Sequence, residues 1–549
     1  MRNRRLLITA VLLLLCVTGL LARAFYLQVV LAAEYTERAE EQHIEVQTVS
    51  VKRASILDRE GAELALSVSV PSICADPTQL EDPAAAAAAV APLTGVNQAE
   101  LLELFSSDEH FCFVGRKVAA EVGEKVAALS LPGVYQITEE KRVYPQGPLA
   151  PQLLGFVGTE NKGLAGLELT YEERLQGTEG SRRVLVDEKG RGLEVLSEEA
   201  PRQADALTLT LDKDIQYAVE QILAEVVESE GAKRASAIVM DPDDGGILAL
   251  ATTPSFDTNE YANAPQDAQR NVLVTDQYEP GSTFKVVLMA AALENGLVTP
   301  DSSFTLPAEL PVKDVVIREA HEDVPYQRVM TTTDILAQSS NVGTVTIALD
   351  LGREKLVDMI QKFGFTCRTG IDLPGEVAGT MLPLEQWNWG TAASVPIGQG
   401  ISVTAIQMIA AYAAIANDGI LMQPHLSQEA RPGMGVEVMS QTVARQLRDM
   451  LRKVVEEGTG TSAKLAGYTV AGKTGTAQKV EENSAVYSQD KYVASFVGMI
   501  PADDPEIVVL AIVDEPQEAY FGSEVAAPVF ARIADFTVKH LGIVPDSAD

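Results

Sequence analysis

The sequence predicts an α+β protein: an N-terminal transmembrane helix, a mixed α/β region, and a larger C-terminal domain with one antiparallel sheet flanked by helices. Three observations carry this reading. The chain opens on an apolar run of helical length, and an acidic, proline-marked linker near residues 200–206 divides the remainder of the chain in two. The part beyond that linker begins and ends in strand patterns, with helical patterns between them. At 549 residues the chain exceeds what a single hydrophobic core organises.

The N-terminal run comes first. Arg2, Arg4 and Arg5 precede about 17 largely apolar residues, Leu6 to Ala22. A helix of that length spans roughly 25 Å, slightly short of a bilayer core. Arg23 can snorkel, and Phe25 and Tyr26 suit the outer interface. The basic end stays cytoplasmic, so residues 1–24 read as a short tail and anchor, with the rest exported. Ala22-Arg23-Ala24 loosely matches a signal-peptidase site, but the arginine and the apolar continuation "FYLQVVLAA" favour an uncleaved anchor. A lipoprotein site at Cys16 is disfavoured, because the thiol falls in mid-membrane.

Residues 25–205 mix short strands and helices. In "SILDREGAELALS" two strands flank a turn at Asp58-Arg59-Glu60-Gly61. Nothing in this region gathers a nucleophile and a base, so it reads as scaffold or partner surface. Residues 206–549 form the second exported domain. It starts with an amphipathic helix over 214–232 and a hairpin, "ASAIVMDPDDGGILALATTP". The stretch 280–460 is mostly helical in pattern. Three strands, "YTVAGKTGTAQ", "YVASFVGMIP" and "EIVVLAIVDEP", and a helix over 526–541 complete it.

The charge excludes some functions. A formal net charge of −34 argues against nucleic acid and against adhesion to anionic headgroups. Cys74, Cys112 and Cys367 show no CxxC spacing and read as small buried hydrophobes, and the five histidines form no HExxH. No metal site and no cofactor are indicated.

Chemistry enters at "YEPGSTFKVV", residues 278–287. Ser282 has an ordinary reading as a helix cap, since serine is favoured there. On a helix, however, positions i and i+3 share a face, which sets Lys285 beside the Ser282 hydroxyl at a helix N-terminus. A lysine acts as a base only when neutral. Its pKa must fall by roughly three units, which burial and a second nearby cation would achieve. "AQSSNVGT" supplies Ser339 and Asn341, a hydroxyl for proton relay and an amide for orientation. "VAGKTGTAQ" places Lys473, Thr474, Gly475 and Thr476 on a strand, with Lys473 and Gly475 on one face. Gly475 reads as room for a substrate backbone. Two decoys show how little each pattern carries alone: "SQDK" at Ser488–Lys491, read as solvated loop, and "CRTG" at 367–370, read as a turn.

In this order, S-x-x-K, S-x-N and K-T-G form the signature of penicillin-binding proteins and class A β-lactamases, with Ser340 here in place of the central aspartate. The chain resembles a class B, monofunctional penicillin-binding protein over nearly its whole length. "RASILDREG" (53–61), "RVYPQG" (142–147) and "GLAGLELTYEERLQGTEG" (163–180) are similar to the motifs of that family's elongated pedestal. "GQGISVT" (398–404) belongs with its transpeptidase domain, and the tail looks like the division-type branch. Gln152 stands where the family leads one to expect histidine.

The resemblance implies a peptidoglycan D,D-transpeptidase. Ser282 would attack the penultimate D-Ala carbonyl of a stem pentapeptide and pass the acyl group to an amine on a neighbouring stem. Lys285 would be the acylation base, and Ser339, held by Lys285 and Lys473, would return the proton. The N–H groups of Ser282 and Thr476 would form the oxyanion hole. Thr474 and Thr476, with Lys473 behind them, would hold the substrate carboxylate. β-Lactams would acylate the same serine. Glycan polymerisation, for which the region before the linker carries no acidic motif, would fall to a SEDS-family membrane glycosyltransferase acting on lipid II, alongside divisome membrane proteins.

Alternatives within the family are an elongation- or sporulation-type transpeptidase. Outside it stands a D,D-carboxypeptidase or β-lactamase-like hydrolase, for which Glu385 is the carboxylate to nominate as water activator. A β-lactam receptor is disfavoured, since only about five residues precede the anchor.

Overall fold

The computed structural model describes residues 2–32, 35, 44–49, 51–186, 192–313, 315–320, 327–430, 433–481 and 486–547. Packing groups the chain into two units: Met1–Arg53 with Gln176–Ala204, and Ala54–Leu175 with Asp205–Asp549. In the first, helix Arg2–Phe25 overlaps Asn3–Val30, a stretch long and apolar enough to cross a membrane and with no buried residue. The unit's strands Ile44–Val49, Gly180–Val186 and Gly192–Glu199 form an antiparallel sheet with the second strand central.

The second unit begins with β1 (Ile56–Leu57) and β2 (Glu63–Ala75), joined by the turn read at Asp58-Gly61. The Asp58 carboxylate accepts the N–H groups of Glu60 and Ala62, and Gly61 takes a φ of 87°. β2 pairs with β3 (Cys112–Gly115) and β4 (Val134–Val143), and β1 runs parallel to β5 (Leu207–Thr208). One buried ion pair gathers all three pedestal-like stretches. Arg142 donates to Glu168 at 2.6 Å and to the Ala54 carbonyl at 2.8 Å. Gln152 donates to the Ala268 carbonyl at 2.9 Å. Cys74 and Cys112 are buried as expected, whereas Cys367 and Cys16 are exposed; Cys367 follows the end of a helix on a surface loop that the apolar count does not reveal.

After helix α1 (Lys213–Glu230), capped by the Asp212 side chain, comes the hairpin β6 (Arg234–Met240) and β7 (Ile247–Thr253). Next are α2 (Lys285–Glu294), β8 (Val315–Arg318), β9 (Gln327–Thr331), α3 (Asn341–Leu351), α4 (Ala405–Ala416) and α5 (Gln441–Glu456). β10 (Ala471–Val480), β11 (Tyr487–Ile500), β12 (Ile507–Asp514) and α6 (Ala526–Leu541) complete the unit. The five-stranded sheet has the order β7-β6-β12-β11-β10, with every neighbouring pair antiparallel. α1 and α6 cover one face with an apolar core that includes Ile215, Leu223, Phe496 and Phe530. α4, buried along its whole length, covers the other. Two covered faces explain why β6 and β12 read as unbroken apolar runs rather than alternating ones.

One stretch departs from the helical reading of the middle region. Ser303–Pro307 pairs with β9, and Glu309–Val312 pairs with β8, as two small antiparallel ribbons. Their β-branched content outweighs any helical period. This lobe carries Glu319 and Arg328 to the rim of the site.

Candidate active site

The nucleophile candidate sits at the start of α2. Gly281–Phe284 forms a 3₁₀ turn that runs into the helix, and Pro280 occupies the N-cap without a side-chain bond. Ser282 is therefore not the cap. It lies two positions past the cap, part-exposed, with its hydroxyl left for chemistry. The turn is tightly held. The Gly281 N–H donates to Gly398 O at 3.1 Å, and a Cβ on Gly398 would fall 2.0 Å from the Gly281 carbonyl oxygen. The buried Tyr412 hydroxyl, from α4, donates to Thr283 O at 2.9 Å.

Lys285, three residues on, is completely buried. Its Nζ donates to Ser339 O at 2.5 Å, Asn341 Oδ1 at 2.8 Å and Ser339 Oγ at 3.2 Å. Burial pushes Lys285 down to about 7, with Glu319 pulling the other way. Lys473, also fully buried, is held well below the usual lysine range by burial first and by the charge on Lys285 second. Burial is thus the main cause that lowers both lysines, and the two buried amines form a like-charge pair.

Ser339 adopts a left-handed φ of 56° between two helices, an unusual backbone for a side chain with a Cβ. That kink turns both its carbonyl and its hydroxyl to Lys285. Ser340, at the position of the motif's aspartate, caps α3 by accepting the Gly343 N–H at 2.9 Å. Helix capping is therefore the role of Ser340, while Ser339 and Asn341 face the lysine.

β10 completes the site as the edge strand of the sheet. Lys473 reaches the Thr474 carbonyl and hydroxyl, each at 3.3 Å, and that hydroxyl meets Thr459 Oγ1 at 2.9 Å. The Thr476 hydroxyl accepts the Gly522 N–H at 2.9 Å. A Cβ on Gly281 would meet the Thr476 carbonyl oxygen at 2.9 Å, so that carbonyl faces the nucleophile turn. In a strand a residue's N–H and C=O leave on the same side, which directs the Thr476 N–H towards Ser282 as well.

Gly475 has a different reason from the one expected. A Cβ there would lie 2.4 Å from Ser495 Oγ, 2.9 Å from Thr283 Cγ2 and 3.0 Å from Pro280 O. The missing side chain makes room for the nucleophile's own turn rather than for substrate.

Ser282, Ser339, Asn341, Thr474 and Thr476 line one cleft of about 860 Å³. Lys285 and Lys473 are buried behind that lining, bonded to Ser339, Asn341 and Thr474, and Gly475 sits within β10 without lining the cleft. Sequence reasoning missed Glu319, Arg328 and Thr459, along with a stacked pair, Tyr492 and Tyr520, whose rings are 4.4 Å apart at one end. None belongs to a spaced motif, so only tertiary placement reveals them.

The decoys separate cleanly. Ser488–Lys491 lies within β11, not in a loop, because the β10–β11 hairpin extends to Tyr487. Those four residues lie at a register shift of the hairpin, between the pairs Val480–Tyr487 and Gln478–Tyr492; Ser488 is buried and donates to Asp490, and Lys491 pairs with Glu481, so the two side chains are engaged with other partners. The 367–370 stretch is a loop whose Thr369 and Gly370 N–H groups donate to Glu376. Glu385 is exposed on a 3₁₀ turn and does not line the cleft.

Comparison with known proteins identifies the family and the fold. Residues 235–535 match the penicillin binding protein transpeptidase domain, and residues 48–209 match the penicillin-binding protein dimerisation domain. The chain is 33% identical to Stage V sporulation protein D of Bacillus subtilis, over 95% of this chain and 83% of that protein. It is 31% identical to the peptidoglycan D,D-transpeptidase FtsI of Escherichia coli, over 97% of this chain and 91% of that protein. The crystal structure of penicillin binding protein 3 from Mycobacterium tuberculosis, complexed with aztreonam, superimposes with a TM-score of 0.72 at 30% identity, covering 92% of this chain and 98% of that one.

Proposed function

This chain belongs to the class B penicillin-binding proteins, and from that premise we propose that it cross-links peptidoglycan stem peptides through an acyl-enzyme on Ser282, at the division septum. It is a serine-type D,D-transpeptidase, anchored by its N-terminal apolar helix. The basic N-terminus lies in the cytoplasm and the catalytic domain outside the membrane. We take residues 25–205 as the pedestal and 206–549 as the catalytic domain.

The observation that carries the mechanism is the buried amine of Lys285, held between Ser339 and Asn341 one helical turn from Ser282. In its neutral form this amine has a lone pair for the Ser282 proton, and burial already favours that form. Ser282 Oγ bonds to the penultimate D-Ala carbonyl carbon. The oxyanion is met by the N–H groups of Ser282 and Thr476, each such donor contributing about 3 kcal/mol. The Lys285 proton passes through the Ser339 hydroxyl to the leaving D-Ala nitrogen as the C–N bond breaks. A stem amine then attacks the ester, gives its proton back along the same path, and frees Ser282. Thr474, between Lys473 and Thr459, holds the terminal carboxylate.

Sporulation-type relatives leave the septal assignment to be tested by depletion in cells, where filaments support it and round cells oppose it. A SEDS-family glycosyltransferase and divisome membrane proteins are the partners this reading requires. Hydrolysis is the weaker reading, since Glu385 lies outside the cleft. Incubation with a D-Ala-D-Ala-terminated stem pentapeptide and an amine acceptor should release D-Ala and form cross-linked product. Free tetrapeptide alone would favour the carboxypeptidase reading.

A further inference from the structure

Glu319, at the end of the lobe that carries β8, is nearly buried, and its carboxylate is fully engaged. One oxygen accepts the Ser340 hydroxyl at 2.6 Å and pairs with the Arg328 guanidinium. The other accepts the Asn341 N–H at 2.7 Å. Arg328 also donates to Ser340 Oγ at 3.1 Å, and the Asn341 amide donates to Arg318 O at 3.1 Å. The central motif position holds a serine in this chain, and a carboxylate from a different segment bonds to that serine and to the following asparagine.

We propose that Glu319, clamped by Arg328, is a positioning residue for acyl transfer: it holds Ser340 and Asn341 so that the Asn341 side-chain oxygen meets Lys285. This rests on the reading of Lys285 as the base. The hydrogen bonds place the start of α3, and therefore the acceptor that orients the lysine amine. The carboxylate also acts on the amine through space. Glu319 favours the charged form of Lys285, and Arg328 sits on the same carboxylate and offsets that pull. The other charged group coupled to Lys285 is Lys473 on β10; the phenol of Tyr412, bonded to Thr283 O under the nucleophile turn, and that of Tyr278 are pushed up by burial and stay neutral. Glu319 and Arg328 thus bias one proton equilibrium in opposite directions.

The test is the pH profile of penicillin acylation for the full-length protein, with thermal unfolding in parallel. Wild type should rise through a midpoint near the value burial gives Lys285. Glu319→Gln should move that midpoint to lower pH by about half a unit or more, and Arg328→Gln should move it to higher pH. Glu319→Asp should restore part of the wild-type profile. Midpoints that move in the same direction, or do not move, in variants that unfold at the wild-type temperature would overturn the proposal. A wild-type profile with no rise near neutrality would remove the base reading, and this proposal with it.

Discussion

Lys285 Nζ and Asn341 Oδ1 lie 2.8 Å apart, although 56 residues separate them in the chain. That contact joins the first two motifs at a fully buried lysine, and most expected behaviour stems from it. With Lys285 held near 7, the neutral amine dominates above that pH and vanishes below it. The acylation rate should therefore fall about tenfold per pH unit below 7 and level off above it. Stopped-flow acylation by a penicillin between pH 5 and 9 measures this.

Replacement of Lys285 should remove the base while sparing the fold. Lys285→Gln keeps an amide able to donate to Ser339 and Asn341 and should lower the acylation rate by about 10²–10⁴-fold. Thermal unfolding should stay close to wild type. Activity within tenfold of wild type would contradict the role.

Gly475→Ala places a methyl group among Ser495, Thr283 and Pro280, the residues that back the nucleophile turn. Overpacking of this kind costs about 1–3 kcal/mol. The displaced turn should slow acylation well beyond what lost stability explains. Unfolding and acylation rates measured on the same preparation separate the two effects.

Thr459→Val removes the hydroxyl that meets Thr474 while keeping shape. One lost hydrogen bond in the carboxylate subsite should weaken acylation efficiency by about five- to tenfold. The loss should largely vanish for a substrate analogue lacking the terminal carboxylate.

Arg142→Met leaves Glu168 charged in a dry interior far from the cleft in sequence. Stability should drop by about 3–5 kcal/mol, while the folded fraction is acylated at the wild-type rate. Differential scanning calorimetry with active-site titration tests both parts.

Much of the fold was legible because its elements are local. The hairpin over 234–253, the last three strands and the final helix arise from alternation, turn chemistry and apolar runs. The site residues were legible through spacing: Ser282, Ser339, Asn341, Thr474 and Thr476 do line one cleft, with Lys285 and Lys473 buried behind that lining. What spacing could not show was the reason for each residue. Gly475 is small because of Thr283, a packing contact from 192 positions away. Ser340 caps a helix, and Glu319 reaches the site only because two short ribbons fold over it. The Ser488 motif is a decoy because it lies in an extended strand segment where Ser488 bonds Asp490 and Lys491 pairs with Glu481, an arrangement that spacing alone does not show.

Fluorescent penicillin labelling of wild type, Ser282→Ala and Ser488→Ala tests the central claim most directly. Ser282→Ala should abolish the label and Ser488→Ala should retain it, because of these two serines Ser282 lines the cleft and Ser488 does not. Equal labelling of all three proteins would contradict the assignment of Ser282 as the nucleophile.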